Sequence, residues 1–206
     1  GTGKTTCLFN HIFNNSNEIL KEDDSILFIS SRRTFGIKLL GDIKKFGFKL
    51  YSDCKEYYIE HNRMICQLDS ILRLTTEKFK YIIIDECESL MRYITSSHFT
   101  KNSKASLIVS NLESKIAEAE KVIIMDADLC DRSINYFKDI LNLDNSQLIS
   151  YFTPIYNTGK KLYKTYESLV NQTYQNWEWV LVNDSTDNIT LKIAEELANK
   201  DHRVKV

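Results

Sequence analysis

Short apolar runs separated by helical segments set the strongest limit on what this chain can fold into. Four runs are strand-length and rich in β-branched residues: SILFIS (25–30), RMICQL (63–68), YIIID (81–85) and KVIIMD (121–126). Strands of this kind are buried on both faces, as in a parallel sheet. RRTFGIKLLGDIKKFG and KASLIVSNLESKIAEAE, which lie between them, have helical spacing. This order predicts an α/β fold in which YIIID and KVIIMD are adjacent inner strands.

The same alternation begins again past about residue 145. LISYFTP reads as a strand, KKLYKTYESLVNQ as a helix, WEWVLVND as a strand, NITLKIAEELANK as a helix and RVKV as the start of a third strand. We therefore predict two domains, residues 1–145 and 148–206. The second is expected to be a separate βαβαβ layer that stops where its sheet would continue, and to add no strands to the first sheet.

Composition limits the classes of partner and compartment. The 206 residues carry a net charge of −1, so binding to DNA or a membrane requires a local patch, and no membrane partner is evident. The apolar runs are too short to span a bilayer. Five cysteines show no C-x-x-C spacing, which argues against a disulfide framework or a zinc site: Cys7, Cys54, Cys66, Cys87 and Cys130. We expect an intracellular, reducing compartment such as the cytoplasm, the nucleus or a viral factory.

The chain begins with GTGKTT, the closing part of the phosphate-loop pattern G-x-x-x-x-G-K-[ST]. Backbone N–H groups at a helix N-terminus bind phosphate oxygens, a lysine reaches the β/γ-phosphates, and a hydroxyl ligates Mg²⁺. We therefore predict that ATP is bound by Gly1, Gly3, Lys4, Thr5 and Thr6. Lys4 is also assigned a catalytic role, and Thr5 is assigned to the metal.

An acidic pair ends the strand YIIID about eighty residues later, where a P-loop enzyme carries its second motif. Asp85 is predicted to hold Mg²⁺, and Glu86 to polarise the attacking water. We expect both carboxylates to lie within reach of Lys4, because all three groups would converge on one Mg²⁺–phosphate group. The alternative is a solvated strand end that precedes a helix cap.

Four motifs in order give residues 1–142 a resemblance to a known family: FISSRR (28–33), RMICQLDSILRL (63–74), DECESL (85–90) and VIIMDADL (122–129). They resemble the herpesvirus-type replication origin-binding protein, a superfamily 2 DNA helicase. The resemblance implies an incomplete P-loop, RecA-like parallel sheet. The front of the phosphate loop and the second RecA-like domain are missing from the sequence, so we expect this piece to bind ATP poorly and to unwind nothing.

The same resemblance implies a DNA partner, either a replication origin or a single strand, and gives roles to particular residues. The resemblance assigns the DNA contacts to Ser31, Arg32, Arg33, Gln67 and Ser70. The resemblance implies that Asp126 and Asp128 couple the ATP site to the DNA groove. The alternatives are an ordinary solvated helix start for the arginines, a helix cap for Gln67 and Ser70, and a helix-dipole partner for Asp128.

The C-terminal segment carries a second resemblance, in FTPIYN (152–157), SLVNQTYQNWE (168–178) and VNDSTDNIT (182–190). These resemble the Rossmann-like N-terminus of a family 2 nucleotide-sugar glycosyltransferase. The resemblance implies a nucleotide-sugar donor bound by Pro154, Tyr156, Asn157 and Asp184, with Asp184 accepting from the base. The last motif departs from the family pattern, because Asn183 replaces an aspartate and the loop is one residue shorter.

Three functions remain open from the sequence. The first is the ATP-driven motor domain of an origin-binding helicase, the second is a glycosyltransferase, and the third is a non-catalytic folded piece. The oligomeric state is left open, as is the choice between a genuine fusion and a gene-model join. We interpret the D-x-D at 126–128 as the end of a helicase strand, and Trp177 and Trp179 as packing residues.

Overall fold

The structure is a computed structural model that describes residues 24–30, 32–126, 130–142 and 149–206. The described residues fall into two compact units, one within 24–142 and one within 149–206. We describe each unit by itself.

The first unit is built on a five-stranded sheet whose strand pairs are all parallel. Its order is β2-β3-β1-β4-β5. The strands are β1 (Ile26–Ser30), β2 (Lys49–Leu50), β3 (Arg63–Gln67), β4 (Tyr81–Asp85) and β5 (Lys121–Met125). β1 is buried along its whole length between β3 and β4, as its unbroken apolar run predicts.

Helices connect these strands. They are α1 (Arg33–Ile43), α2 (Cys87–Ile94), α3 (Ser97–Thr100), α4 (Ala105–Ala117) and α5 (Asp131–Leu141), with 3₁₀ turns at Lys44–Phe46, Tyr51–Asp53 and Leu68–Arg73. The helical spacing predicted for this segment is confirmed for Ile108, Leu112 and Ile116, which are buried in the core, while Ala119 lies beyond the end of α4 and is partly buried. All five strands point the same way, so the segments that follow them meet at one border of the sheet. We call this border the carboxyl edge, and the opposite border the amino edge.

The prediction for YIIID and KVIIMD is confirmed in part. β4 is an inner strand, and β5 pairs with it from Tyr81↔Lys121 to Asp85↔Met125. Within the described residues, however, β5 is the last strand in the sheet order, so its assignment as an inner strand is wrong. Val122, Ile123 and Ile124 are only half-buried. An apolar run indicates that both faces of a strand are covered by other parts of the protein. It does not indicate how many strands pair with that strand.

The second unit is the predicted separate βαβαβ layer. Parallel strands β6 (Ile149–Ile155), β7 (Trp177–Asn183) and β8 (Val204–Lys205) alternate with α6 (Lys161–Val170) and α7 (Asn188–Lys200). Trp177 and Trp179 are fully buried, which confirms them as packing residues. The Trp179 indole N–H donates to the Thr153 hydroxyl at 2.9 Å.

An ionic cluster holds the amino end of this second sheet. Arg203 donates to Asp201 at 2.7 Å, and the Tyr166 hydroxyl donates to the same carboxylate at 3.0 Å. The Arg203 guanidinium also lies 3.9 Å from the centre of the Trp177 ring. The hydrogen bonds from Arg203 hold the pKa of Asp201 far below its usual range.

Two wider properties follow from the described residues. None of their helices combines the length and the apolar character that crossing a bilayer requires. The four cysteines among them, Cys54, Cys66, Cys87 and Cys130, are free thiols. Burial raises the pKa of the Cys66 thiol to about 12, so that side chain is neutral and packs as part of the core.

Candidate functional site

The acidic strand end lies at the carboxyl edge of the first sheet. Asp85 is the last residue of β4 and is only 6 % exposed, while the neighbouring Glu86 side chain is half-exposed. The Glu86 backbone N–H donates to an Asp85 oxygen at 3.0 Å. Glu86 adopts φ 52°, a left-handed conformation that is strained for a non-glycine residue. Its side chain makes no capping hydrogen bond to α2, so the cap alternative gains no support.

A hydrogen-bond network joins the acidic strand end to the end of β5. The Glu88 backbone N–H donates to Asp126 at 2.8 Å, and the Glu88 carboxylate accepts from the Cys130 backbone N–H at 3.1 Å. Arg132 lies 3.5 Å from the same carboxylate. Glu88 therefore contacts the residues on both sides of 127–129.

The charge of Glu88 is stabilised although the side chain is buried. Burial alone would raise its pKa, but hydrogen bonds from Ser133 and Cys130, together with the charge of Arg132, outweigh it, so the pKa lies below the usual value. The carboxylate is therefore ionised at neutral pH and holds the start of α5.

The arginines that follow β1 also lie at the carboxyl edge. The Arg32 side chain is 73 % exposed, and its Nε is 4.0 Å from the Glu86 carboxylate. The Ser30 hydroxyl accepts from the Arg32 N–H at 3.3 Å and donates to the Arg32 carbonyl at 2.8 Å, which fixes the turn out of β1. Arg33 is exposed at the first position of α1. The arginines predicted to contact DNA and the acidic pair thus share one edge.

A cleft of about 390 Å³ opens beside these residues. Its polar lining consists of Ser30, Arg32, Gln67, Asp69, Ser89 and Tyr93. Gln67 precedes the 3₁₀ turn Leu68–Arg73 but makes no side-chain cap, and instead accepts a hydrogen bond from the Tyr51 hydroxyl. Burial raises the pKa of Tyr51, while the charge of Arg33 and a hydrogen bond with Ser70 oppose that rise. Of the described residues predicted to contact DNA, Arg32 and Gln67 line this cleft, while Arg33 and Ser70 directly follow the lining residues Arg32 and Asp69 in sequence.

Tyr93 was not predicted as a site residue. Its hydroxyl donates to both oxygens of Asp69, at 2.8 and 3.0 Å, and so ties the end of α2 to the 3₁₀ turn. Burial, the hydrogen bond and the charge of Asp69 raise the pKa of Tyr93 to about 12. No local pattern signals this contact, because the two residues are 24 positions apart and lie on different elements.

In the second unit, Asn157 joins the loops that follow β6 and β7. It has φ 48°, and its side-chain oxygen accepts from the backbone N–H groups of Thr186 and Asp187 at 3.1 and 3.2 Å. Its own backbone N–H donates to the Ser185 hydroxyl at 3.0 Å. The Asp184 N–H donates to the Ile155 carbonyl at 3.0 Å. These contacts give the shortened loop a defined conformation.

The predicted donor-site residues surround this junction. Tyr156 and Asp184 are both exposed, and Pro154 lies on β6 in register with Val182. Asp187, which was not predicted, caps α7 by accepting from the Thr190 N–H at 2.6 Å. The D-x-x-T spacing was a readable signal for this cap, since such residues commonly close a helix N-terminus.

Comparison with known proteins assigns the first region to a family. Residues 1–151 match the family model described as origin of replication binding protein. The chain belongs to this family. The origin-binding match covers the whole first unit, including the acidic strand end and the polar cleft.

Two curated origin-binding proteins illustrate the similarity. The putative replication origin-binding protein of Acanthamoeba polyphaga mimivirus is 33 % identical over 172 residues, which is 76 % of this chain and 21 % of that protein. The replication origin-binding protein of Human herpesvirus 7 (strain JI) is 29 % identical over 175 residues, which is 77 % and 21 % respectively. The chain thus spans about a fifth of the length of these origin-binding relatives.

The C-terminal segment matches a different family. Residues 150–206 match the model described as glycosyl transferase family 2. Glycosyltransferase GlyG of Streptococcus pneumoniae serotype 4 (strain ATCC BAA-334 / TIGR4) is 44 % identical over 61 residues, which is 30 % of this chain and 20 % of that protein. The second resemblance is therefore confirmed at the level of the segment.

Several predicted site residues lie outside the described residues: Gly1, Gly3, Lys4, Thr5, Thr6, Ser31 and Asp128. The expected approach of Lys4 to Asp85 and Glu86 therefore stays a prediction, as do the domain borders at 145 and 148. In the ranges that the structure describes, no three His, Cys, Asp or Glu side chains are grouped as a metal site. A single carboxylate such as Asp85 still fits Mg²⁺, which usually keeps water and phosphate oxygens as its other ligands.

Proposed function

We propose that the first unit is the DNA-contacting, nucleotide-dependent motor region of an origin-binding protein. The observation that carries the proposal is the 4.0 Å approach of Arg32 to Glu86 at the carboxyl edge. Ligands of parallel α/β sheets bind outside the carboxyl ends of the strands. A DNA-side group and an acidic group on one such edge are what a motor that couples DNA contact to ATP hydrolysis requires.

The DNA would be held through its phosphates at the polar cleft. Arg32 and Arg33 are exposed and present guanidinium donors, which bind phosphate oxygens in a bidentate manner. Gln67 and Ser70 add polar groups at the neighbouring strand end. Such contacts position the strand without reading its sequence, and they make the affinity depend on salt.

The acidic residues would serve the nucleotide. Asp85 would hold Mg²⁺, which supplies positive charge to the phosphates when it is bound. Glu86 would accept a hydrogen bond from the attacking water, and its exposed carboxylate suits that role. Glu88 would hold Asp126, after the end of β5, and the start of α5 beside the acidic strand end, because it is hydrogen-bonded to Asp126 and to Cys130.

DNA binding by the 206-residue chain tests this proposal. We expect Arg33→Ala to weaken binding of a fluorescent oligonucleotide by about 1 kcal/mol, or roughly fivefold, and to reduce the salt slope by about 1. Lys44→Ala removes an exposed charge just beyond the opposite end of α1 and serves as the control. Equal anisotropy titrations for the two variants would contradict the proposal.

A second function is favoured by the junction at Asn157. We propose that residues 149–206 belong to a nucleotide-sugar binding domain in which Asp184 contacts the base. The support is the ordered pair of loops at the carboxyl ends of β6 and β7, where Tyr156 and Asp184 are exposed.

Titration of the full chain with nucleoside diphosphate sugars tests the donor site. One of the uridine, guanosine or thymidine compounds should bind saturably, and Asp184→Asn should weaken it by about 1.4 kcal/mol, or roughly tenfold, through loss of a charged acceptor. Glu195→Gln, at an exposed position of α7, is the control. If no such compound binds, or if the two variants behave alike, this assignment is wrong.

A further inference from the structure

Two neighbouring tyrosines are exposed to solvent on the surface of the first unit. The Tyr57 and Tyr58 side chains are 66 % and 65 % exposed, although aromatic side chains gain much from burial. Their rings pack edge to face, with centroids 4.8 Å apart and an interplanar angle of 89°. We call them the tyrosine pair. The edge of one ring covers a face of the other, and the remaining faces are exposed and available to a ligand.

The loop that carries the tyrosine pair is held in place by Arg73. Its guanidinium donates to the Tyr57 carbonyl at 3.2 Å and to the Glu56 carbonyl at 2.8 Å. It also donates to the carbonyls of Tyr51 and Cys54, each at 3.2 Å. Ile59, the next residue after the pair, is buried. The aromatic faces are therefore presented by an ordered loop, so a ligand would meet little ordering cost.

Arg73 also connects the tyrosine pair to the polar cleft. Besides its hydrogen bonds, it lies 6.0 Å from the centre of the Tyr51 ring. The Tyr51 hydroxyl donates to Gln67, which lines the cleft, and the charge of Arg33 acts on the same hydroxyl. The loop that carries the pair is thus linked through Arg73 and Tyr51 to a residue that lines the polar cleft.

The net charge of the segment around the tyrosine pair indicates which part of a DNA strand the pair suits. Residues 49–63 carry three basic and three acidic side chains, Lys49, Lys55, Arg63, Asp53, Glu56 and Glu60, and therefore have no net charge. A segment without net charge gives phosphates no general attraction. Aromatic faces without net charge suit nucleobases, which stack on them whatever their sequence.

We propose that the tyrosine pair is a stacking platform for unpaired bases of the DNA strand whose phosphates lie at the carboxyl edge. This inference rests on the proposed DNA function of the same unit. Bases in a duplex are already stacked and paired, so the platform favours single-stranded over duplex DNA. Its contribution is insensitive to salt, unlike that of Arg33.

The test uses the full chain and a single-stranded oligonucleotide that carries 2-aminopurine, whose fluorescence is quenched by stacking. The double variant Tyr57→Ala/Tyr58→Ala should lose roughly tenfold or more in single-strand affinity and should relieve the quenching. Its salt slope and its duplex affinity should equal those of the unchanged chain. Tyr57→Phe/Tyr58→Phe keeps both aromatic faces and should bind within about twofold of the unchanged chain.

The outcomes distinguish failure of the stacking platform from failure of the DNA-binding function on which it rests. If Arg33→Ala weakens DNA binding but the alanine pair does not, the stacking platform is wrong and the DNA function stands. If neither change weakens binding, both are wrong. If the phenylalanine pair loses as much affinity as the alanine pair, the hydroxyls bind rather than the ring faces, which also overturns the proposal.

Discussion

At the scale of single residues, Glu88 is the side chain whose surroundings explain most about the acidic motif. It is buried, yet it is charged, because the Cys130 N–H, Ser133 and Arg132 all favour the ionised form. A buried carboxylate of this kind stabilises a fold only while its partners remain in place. Its own N–H also donates to Asp126, so one residue fixes two segments of the carboxyl edge.

Replacing Glu88 with glutamine should destabilise the first unit by about 1–3 kcal/mol, since the charged hydrogen bonds become neutral ones. The folded-state pKa of Glu88 lies below its ordinary value of 4.5, so its stabilisation is complete above that pH and is lost as the pH falls further. The difference between the two proteins should therefore shrink in acid. Chemical unfolding at pH 7 and in steps below pH 4.5 measures it.

Glu120→Gln is the control for this change, because Glu120 is exposed and lies at the amino edge just before β5. It should alter the free energy of unfolding by no more than about 0.5 kcal/mol at any of these pH values. A Glu88→Gln deficit that stays constant into acid would mean that the carboxylate charge does not stabilise the fold.

Residues of the site were predictable to different degrees. Arg32, Gln67 and Glu86 were found because each ends a strand or follows one within two residues, and strand ends of a parallel sheet meet at one edge. Tyr93 and Arg73 were missed because their contacts join elements far apart in sequence. Pattern reasoning uses local spacing, and neither contact leaves a local trace.

At the scale of elements, long segments with a clear period were predicted well. α7 has the predicted bounds, Asn188–Lys200. Asp187 caps its first turn, and the buried face of the helix continues to Leu197. Short elements such as β2 and α3 were missed, because two to four residues do not establish a period. The position of β5 at the end of the described sheet was also missed, since pairing partners are a tertiary property.

The placement of α1 shows a constraint that the apolar pattern alone does not give. Gly36 is buried, and an added Cβ would lie 3.2 Å from the Leu50 side chain and 3.4 Å from that of Ile65. The helix therefore packs close to β2 and β3, and Arg33 lies at its first position. Gly41 in the same helix has nothing within 4 Å, so its lack of a side chain has no such role.

At the scale of the whole chain, two sheets and two family matches agree on two units that match different families. The net charge of −1 gives no general attraction for DNA, so the proposed DNA binding depends on one local surface, the carboxyl edge of the first unit. The sequence predicted the separate layer because its apolar alternation restarts, and residues 177–183 do lie in a different sheet from residues 121–125.

Hydrogen–deuterium exchange of the chain with and without single-stranded DNA tests the central claim most directly. DNA should slow exchange in peptides covering 32–36, 55–59 and 67–73, which hold the arginines, the tyrosine pair and the 3₁₀ turn beside the cleft. Peptides covering 76–81 and 117–121 at the amino edge should be unchanged, as should 149–206. Protection confined to the amino edge or to 149–206, or no protection at saturating DNA, would contradict a DNA surface at the carboxyl edge.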